Sequence, residues 1–265
     1  MRLGARSREK LSRISIVTAV YNSAPFIEKC VSSVLDQDYP DLEYIIIDGG
    51  STDGTVQIIE KFKDCLAYFV SEKDRGQTNA LNKGFSRATG DVFAWINADE
   101  QYLPGTLWEV GNAFRNNQNL DFFFGNRIII NNRDEEISRK KYLPMHPKWH
   151  LLYRRHVLPT DASFWSERLH RLTGELDEEN FPRVGMDIDW LLRLSVSVKK
   201  WKHTENYLSK FTERPDRITK QHRKLDPNWS KQNHFLAREL LFKKYPHMKI
   251  ESLLGRLIMR LCTKS

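Results

Sequence analysis

After a basic start, the chain alternates short apolar runs with stretches of helical periodicity. Ile14 to Val20, ISIVTAV, is a β-branched run that predicts a buried strand ending at YNSAP. A helix should follow. Ser23 is a candidate N-cap, Pro25 stands in the first turn where a missing N–H does no harm, and Phe26, Ile27, Cys30, Val31 and Val34 form one apolar face. The pattern repeats with LEYIIID as a second buried strand, GGSTDGT as its turn, and Val56, Ile59 and Phe62 as a helical stripe. Ala67 to Val70 predicts a third strand, Ala80, Leu81, Gly84, Phe85 and Ala88 recur at helical spacing, and DVFAWI (91–96) is a further apolar strand. Strands alternating with helices over the first hundred residues predict an α/β, Rossmann-like architecture: a mostly parallel central sheet flanked by helices.

Beyond Leu103 the alternation loosens. LDFFFGNRIII and DASFW read as strands, Ser166 to Leu172 as a short helix, and MDIDWLLRLS as a longer one. From Asn228 the chain reads as helices broken at Pro246, with Ile250, Leu253, Leu254, Leu257, Ile258 and Leu261 on one stripe between Arg256, Arg260 and Lys264. No Pro/Gly/Ser-rich linker divides the chain. The expected organisation is a basic arm over 1–13, one α/β domain over 14–222 with halves meeting at 103/104, and a helical extension over 223–265.

Charge adds a preference for acidic partners, since the formal net charge is +8. The basic residues gather at the two ends and no nucleic-acid motif accompanies them, so no nucleic-acid partner is expected. Cys30, Cys65 and Cys262 lie far apart without CxxC spacing, which suggests neither a zinc cage nor a disulfide framework and fits a reducing cytoplasm. The apolar run after the basic start is short for a signal peptide, and no stretch approaches the roughly 18 to 20 apolar residues that span a bilayer.

Candidate chemistry falls where such sheets bind ligands, in the loops after the strands' carboxyl ends. Those loops are YNS, DGGSTDGT, SEKDRGQ and NADE. In NADE a buried strand delivers Asn97, Asp99 and Glu100, and a carboxylate there can hold a hard cation such as Mg²⁺ or Mn²⁺ that bridges to phosphates; a helix cap before Leu103 is the alternative. In IIIDGGSTDGT, Asp48 could accept a hydrogen bond from a base or ribose, or simply close a turn capped by Thr52 or Asp53.

In ordered combination these strings resemble family 2 glycosyltransferases, inverting enzymes with a GT-A fold. The likeness runs from about Ile14 to Thr219: SIVTAVYNSAPFIEKCVSSVLDQDYPDLEYIIIDGGSTDGT and SEKDRGQTNALNKGFSRATGDVFAWINADEQYLPG are similar to the nucleotide-binding half, and DASFWSERLHRLTGELDEEN with GMDIDWLLRL to the acceptor half. The resemblance implies that Thr18 and Tyr21 lie beside the base, Asp48 on the base or ribose, and Asp74 and Arg75 toward the nucleoside and phosphate. Asn97, Ala98 and Asp99 stand at the family's DxD motif, with Asp99 as metal ligand and Asn97 or Glu100 as further oxygen donors. Asn97 replaces the first acid, which implies weakened or altered metal dependence. Met186 replaces the first member of an acidic pair, leaving Asp187 as general base and Asp189 as a structural partner. Arg214 stands in a segment that closes over the diphosphate, with Arg217, Lys220, His222 and Arg223 nearby. Trp165 and Trp190 are candidates for stacking an acceptor sugar or for the core.

The implied activity is inverting transfer of a sugar from a nucleotide-diphosphate donor, UDP-linked by expectation, to a hydroxyl of a saccharide or lipid-linked saccharide in polysaccharide biosynthesis, with Mg²⁺ or Mn²⁺ as cofactor. A non-catalytic nucleotide-sugar-binding relative and a sugar nucleotidyltransferase are the alternatives; YNSAPF lacks the Gly-rich basic loop that the second needs. The C-terminal stripe fits either peripheral contact with an anionic membrane at the inner face of the plasma membrane or packing on the domain.

Overall fold

The computed structural model describes residues 11–149, 158–215, 217, 224–226 and 228–249. The basic residues of 1–10, Lys220, His222, Arg223 and the stripe from Ile250 to Leu261 lie outside the described residues.

The first hundred residues fold as their pattern predicts. Strands β1 (Ile14–Val20), β2 (Leu42–Asp48), β3 (Tyr68–Ser71) and β4 (Val92–Trp95) alternate with helices α1 (Ala24–Leu35), α2 (Thr55–Glu60) and α3 (Gln77–Phe85). β1 pairs in parallel with both β2 and β4, and β2 with β3. The chain therefore runs outward from β1 to β3 and returns to β1's other side at β4. That reversal opens a crevice at the carboxyl ends of β1 and β4, where Tyr21 and Asn97 begin their loops. Gly84 lets α3 lie close on β1: a Cβ there would stand 2.3 Å from a Val17 methyl.

The later chain widens the same sheet. β5 (Glu100–Tyr102), α4 (Thr106–Asn116), β6 (Phe122–Ile130), β7 (Glu136–Lys140), β8 (Ser163–Ser166), α5 (Glu167–Thr173), α6 (Met186–Ser197), β9 (Trp201–Thr212) and α7 (Trp229–Lys244) follow in order. Among the described residues the sheet has nine strands, ordered β3-β2-β1-β4-β8-β6-β9-β5 with β7 on β6. The parallel half predicted from the sequence continues into a mixed half, because β8 enters antiparallel to both β4 and β6, and β5 antiparallel to β9. One sheet thus joins both halves of the chain.

Aromatic side chains weld that join. Trp165 lies 5.5 Å from Trp95 and 4.6 Å from Trp190, ring centroid to centroid, and all three are fully buried. Trp165 and Trp190 are therefore core residues, and acceptor stacking by them is excluded by their burial.

Candidate active site

The crevice is built from loop geometry that the sequence dictates locally. Asp48, at the last position of β2, is fully buried and accepts hydrogen bonds from the Gly50 and Ser51 N–H groups and from the Ser51 and Ser71 hydroxyls. Its carboxylate shapes the Gly-rich turn. Asp74 packs onto that turn: a Cβ at Gly49 would stand 2.6 Å from Asp74 Oδ2, while Asp74 Oδ1 accepts from the Gly76 N–H. Asp53 accepts from Thr55 and from the Ala24 N–H, tying this turn to the start of α1. Ser23 makes no side-chain cap; its hydroxyl donates instead to the Tyr21 carbonyl.

Tyr21 is 62% exposed at the crevice rim. Thr18 is fully buried, like the rest of β1, and its hydroxyl pairs with the Tyr44 hydroxyl at 3.0 Å.

After β4 the chain turns sharply through Asn97, Ala98 and Asp99. The Asn97 N–H donates to Glu100 Oε2 at 2.9 Å, and Asn97 Oδ1 accepts from Gln77 Nε2 at 2.7 Å, so the first residue of α3 fixes the amide. Ala98 is buried. Asp99 faces two guanidiniums: Arg214 Nε is 3.1 Å from its Oδ2 and Arg217 is 3.6 Å from its Oδ1. Arg217 also lies 3.6 Å from Glu100 Oε1. Glu100 is buried, and loss of solvation together with the charges of Asp161 and Asp99 raises its carboxyl from the ordinary 4.5 to about 8.

Behind this cluster Asp161 is fully buried and pairs with Arg127 at 2.9 Å and with the Ser209 hydroxyl. Asp187, in the first turn of α6, belongs to the same assembly. Desolvation raises its carboxyl above the usual range, while the N–H groups of Ile188 and Asp187 and the guanidiniums of Arg127 and Arg217 pull it back. Arg217 thus lies beside both Asp99 and Glu100, and its charge, after that of Arg127, favours the ionised form of Asp187. Asp189, by contrast, is buried and paired with Arg193 one turn on, as a structural partner.

Arg75 pairs at 2.7 Å with Glu178, whose carboxylate also accepts from Asn79 and Asn82 of α3. Together with Thr78, which donates to the Phe181 carbonyl, these residues bind the 176–182 segment to α3, just before the helix that carries Asp187. Arg75 therefore clamps the acceptor half in this structure and makes no contact with the Asp99 cluster among the hydrogen bonds and ion pairs described.

Asp99 and Glu100 are hard oxygen donors of the kind Mg²⁺ and Mn²⁺ take, but Glu100 is buried and turned to Asn97 and Arg217. Among the described residues no group of three or more His, Cys, Asp or Glu side chains could hold a metal ion. Both Asp99 oxygens face guanidiniums here, so a cation at this turn would need to take most of its oxygens from a bound diphosphate and water.

Sequence reasoning missed Arg127, Asp161 and Phe211, and named Arg217 only as a neighbour. A signal existed for two of them: Arg127 interrupts an otherwise apolar strand, and Asp161 opens one, and buried charges of this sort need partners.

The family model described as Glycosyl transferase family 2 matches residues 15–171. The GalNAc(5)-diNAcBac-PP-undecaprenol beta-1,3-glucosyltransferase of Campylobacter jejuni is 27% identical over 150 residues, covering 50% of this chain and 48% of that protein. The chain spans less than half the length of the first curated relatives it matches. Among solved structures, Staphylococcus aureus TarS in complex with UDP-GlcNAc superposes with a TM-score of 0.60 at 17% identity, over 76% of this chain and 59% of that one. The mannosyltransferase PcManGT of Pyrobaculum calidifontis, in complex with GDP-Man and Mn²⁺, gives 0.62 at 19% identity over 93% and 71%. These likenesses bear out the GT-A fold.

Proposed function

The chain belongs to glycosyl transferase family 2, and from that premise we propose that it moves a sugar from a nucleotide-diphosphate donor to a hydroxyl of a saccharide or lipid-linked saccharide, with inversion at the anomeric carbon. The observation that carries the reading is a common electrostatic environment: Arg217 lies 3.6 Å from Asp99, in the turn after β4, and its charge, with that of Arg127, also favours the ionised form of Asp187 at the start of α6. Such an arrangement suits a reaction in which a diphosphate leaves on one side while a proton is removed on the other.

In the step itself the acceptor hydroxyl gives its proton to the Asp187 carboxylate as its oxygen bonds to the anomeric carbon, and the bond from that carbon to the diphosphate oxygen breaks. Asp99 would hold Mg²⁺ or Mn²⁺, which would supply charge neutralisation for the departing diphosphate. Arg214 and Arg217, both beside Asp99, are the cations for the diphosphate oxygens. Tyr21 offers an aromatic face at the rim for the base, and the turn built on Asp48 and Asp74 presents the ribose side. The donor class follows TarS, whose structure holds UDP-GlcNAc, and the lipid-linked acceptor follows the Campylobacter relative. The cation follows PcManGT and its Mn²⁺.

A panel of UDP- and GDP-sugars with Mn²⁺, assayed for nucleoside diphosphate release with and without undecaprenyl-diphosphate saccharides, tests the reading. Release that depends on one donor together with an acceptor is expected. Tight donor binding without turnover across the panel would instead favour a binding-only relative, an alternative motivated by Asn97 and Met186 standing where acids are usual.

A further inference from the structure

Phe211 stands where the two acidic centres of the crevice meet. In the register of β5, β9 and β6 it lies opposite Glu100 on one side and Ile129 on the other, so the three share a sheet face. Arg127, two residues before Ile129, projects from that same face. The guanidinium carbon of Arg127 lies 4.3 Å from the centroid of the Phe211 ring and that of Arg217 lies 3.9 Å from it, both well inside cation–π range.

Hydrogen bonds alone do not fix either cation. Arg127 donates through one nitrogen to Asp161, and its Nε is buried without a partner. Arg217 donates to the Thr212 carbonyl at 3.0 Å, but its contacts with Asp99 and Glu100, at 3.6 Å each, are too long for good hydrogen bonds. The ring is the element common to both.

We propose that Phe211 is a positioning residue for sugar transfer, its ring holding Arg127 against Asp161 and Arg217 against the Asp99–Glu100 turn. The inference rests on Asp187 as the base. From β6 and from the segment after β9, Arg127 and Arg217 are the charged groups acting on Asp187, while Asp189 of its own helix is tied to Arg193. Loosening the two cations removes favourable charge from the base and leaves Asp99 less well screened when no donor is bound.

The test compares full-length Phe211→Tyr, which keeps the ring, with Phe211→Leu and Phe211→Met, which fill the space without it. A core variant, Phe164→Leu, serves as a control for lost packing, since Phe164 is fully buried against Tyr102 and Phe123 while the two guanidiniums lie over Phe211. Phe211→Tyr should keep kcat within threefold. Phe211→Leu and Phe211→Met should lower kcat at least tenfold, leave the acceptor KM within twofold, and move the acid limb of the kcat–pH profile to higher pH. Phe164→Leu should lower Tm without moving that limb. Wild-type kcat and an unmoved limb in the ring-less variants, or a loss in Phe211→Tyr as large as in Phe211→Leu, overturns the proposal. Asp187→Asn in the same series separates the two claims: an active Asp187→Asn sinks the base assignment and this inference with it, whereas a dead Asp187→Asn beside an unaffected Phe211→Leu sinks only the role of the ring.

Discussion

Glu100 and Asp187 carry the same perturbation for different ends. Glu100 titrates near 8 in the folded protein against an ordinary 4.5, so its proton stabilises the fold below about pH 4.5 and that contribution is lost as pH rises through about 8. In metal-free buffer the wild-type Tm should therefore fall across that window, while Glu100→Gln, which needs no proton to be neutral, should show a flatter profile and a higher Tm at pH 8. Parallel profiles for the two proteins would contradict the burial argument. As the proposed base, Asp187 must be deprotonated to act, and its carboxyl is raised, so the acid limb of kcat should fall above pH 3.8. At this scale the sequence was only partly legible. Asp99, Asp187 and Asp189 could be placed because motif spacing locates a residue at a strand end or a helix start. The pairing of Arg75 with Glu178 could not be read from the sequence, because the partner lies about a hundred positions later.

Elements were legible in proportion to their apolar content. β1, β2 and β4 are buried along nearly their whole length and announce themselves as continuous β-branched and aromatic runs. β9 is the longest strand in the described chain, yet it carries Lys202, Glu205 and Asn206 at exposed positions and Thr204 and Lys210 at half-buried ones, with no clean alternation, so it was not foreseen. Its absence from the sequence reading hid Phe211. Packing between elements sets a further expectation. Gly84 is where α3 meets β1, and a methyl there would collide with Val17. Gly84→Ala should destabilise the protein by about 1–3 kcal/mol, the usual cost of overpacking, measurable as a drop in denaturation midpoint with an unchanged m-value. Wild-type stability would mean that α3 can shift freely. Since α3 also holds Asn97 through Gln77 and the 176–182 segment through Asn79 and Asn82, donor affinity should fall with it.

Across the whole molecule, one sheet brings the two halves of the chain to a common crevice, and the surface outside it carries a second expectation. No helix among the described residues is long and apolar enough to cross a membrane. α7 nevertheless exposes Phe235 and Leu236 and ends on Lys243 and Lys244, a combination suited to the interface of an anionic bilayer. The full chain should co-sediment with vesicles rich in phosphatidylglycerol more than with phosphatidylcholine alone, and Phe235→Ser with Leu236→Ser should weaken that binding; equal recovery from both vesicle types would end the idea. The account as a whole depends on Asp187 and Asp99 serving one reaction. The most direct measurement is acceptor-dependent nucleoside diphosphate release by Asp187→Asn, with donor affinity followed by calorimetry. Turnover should fall by about 10² to 10⁴ while donor affinity stays near wild type, as expected for a lost general base. Turnover within about threefold of wild type, the scatter of an ordinary surface substitution and far short of that range, would contradict it.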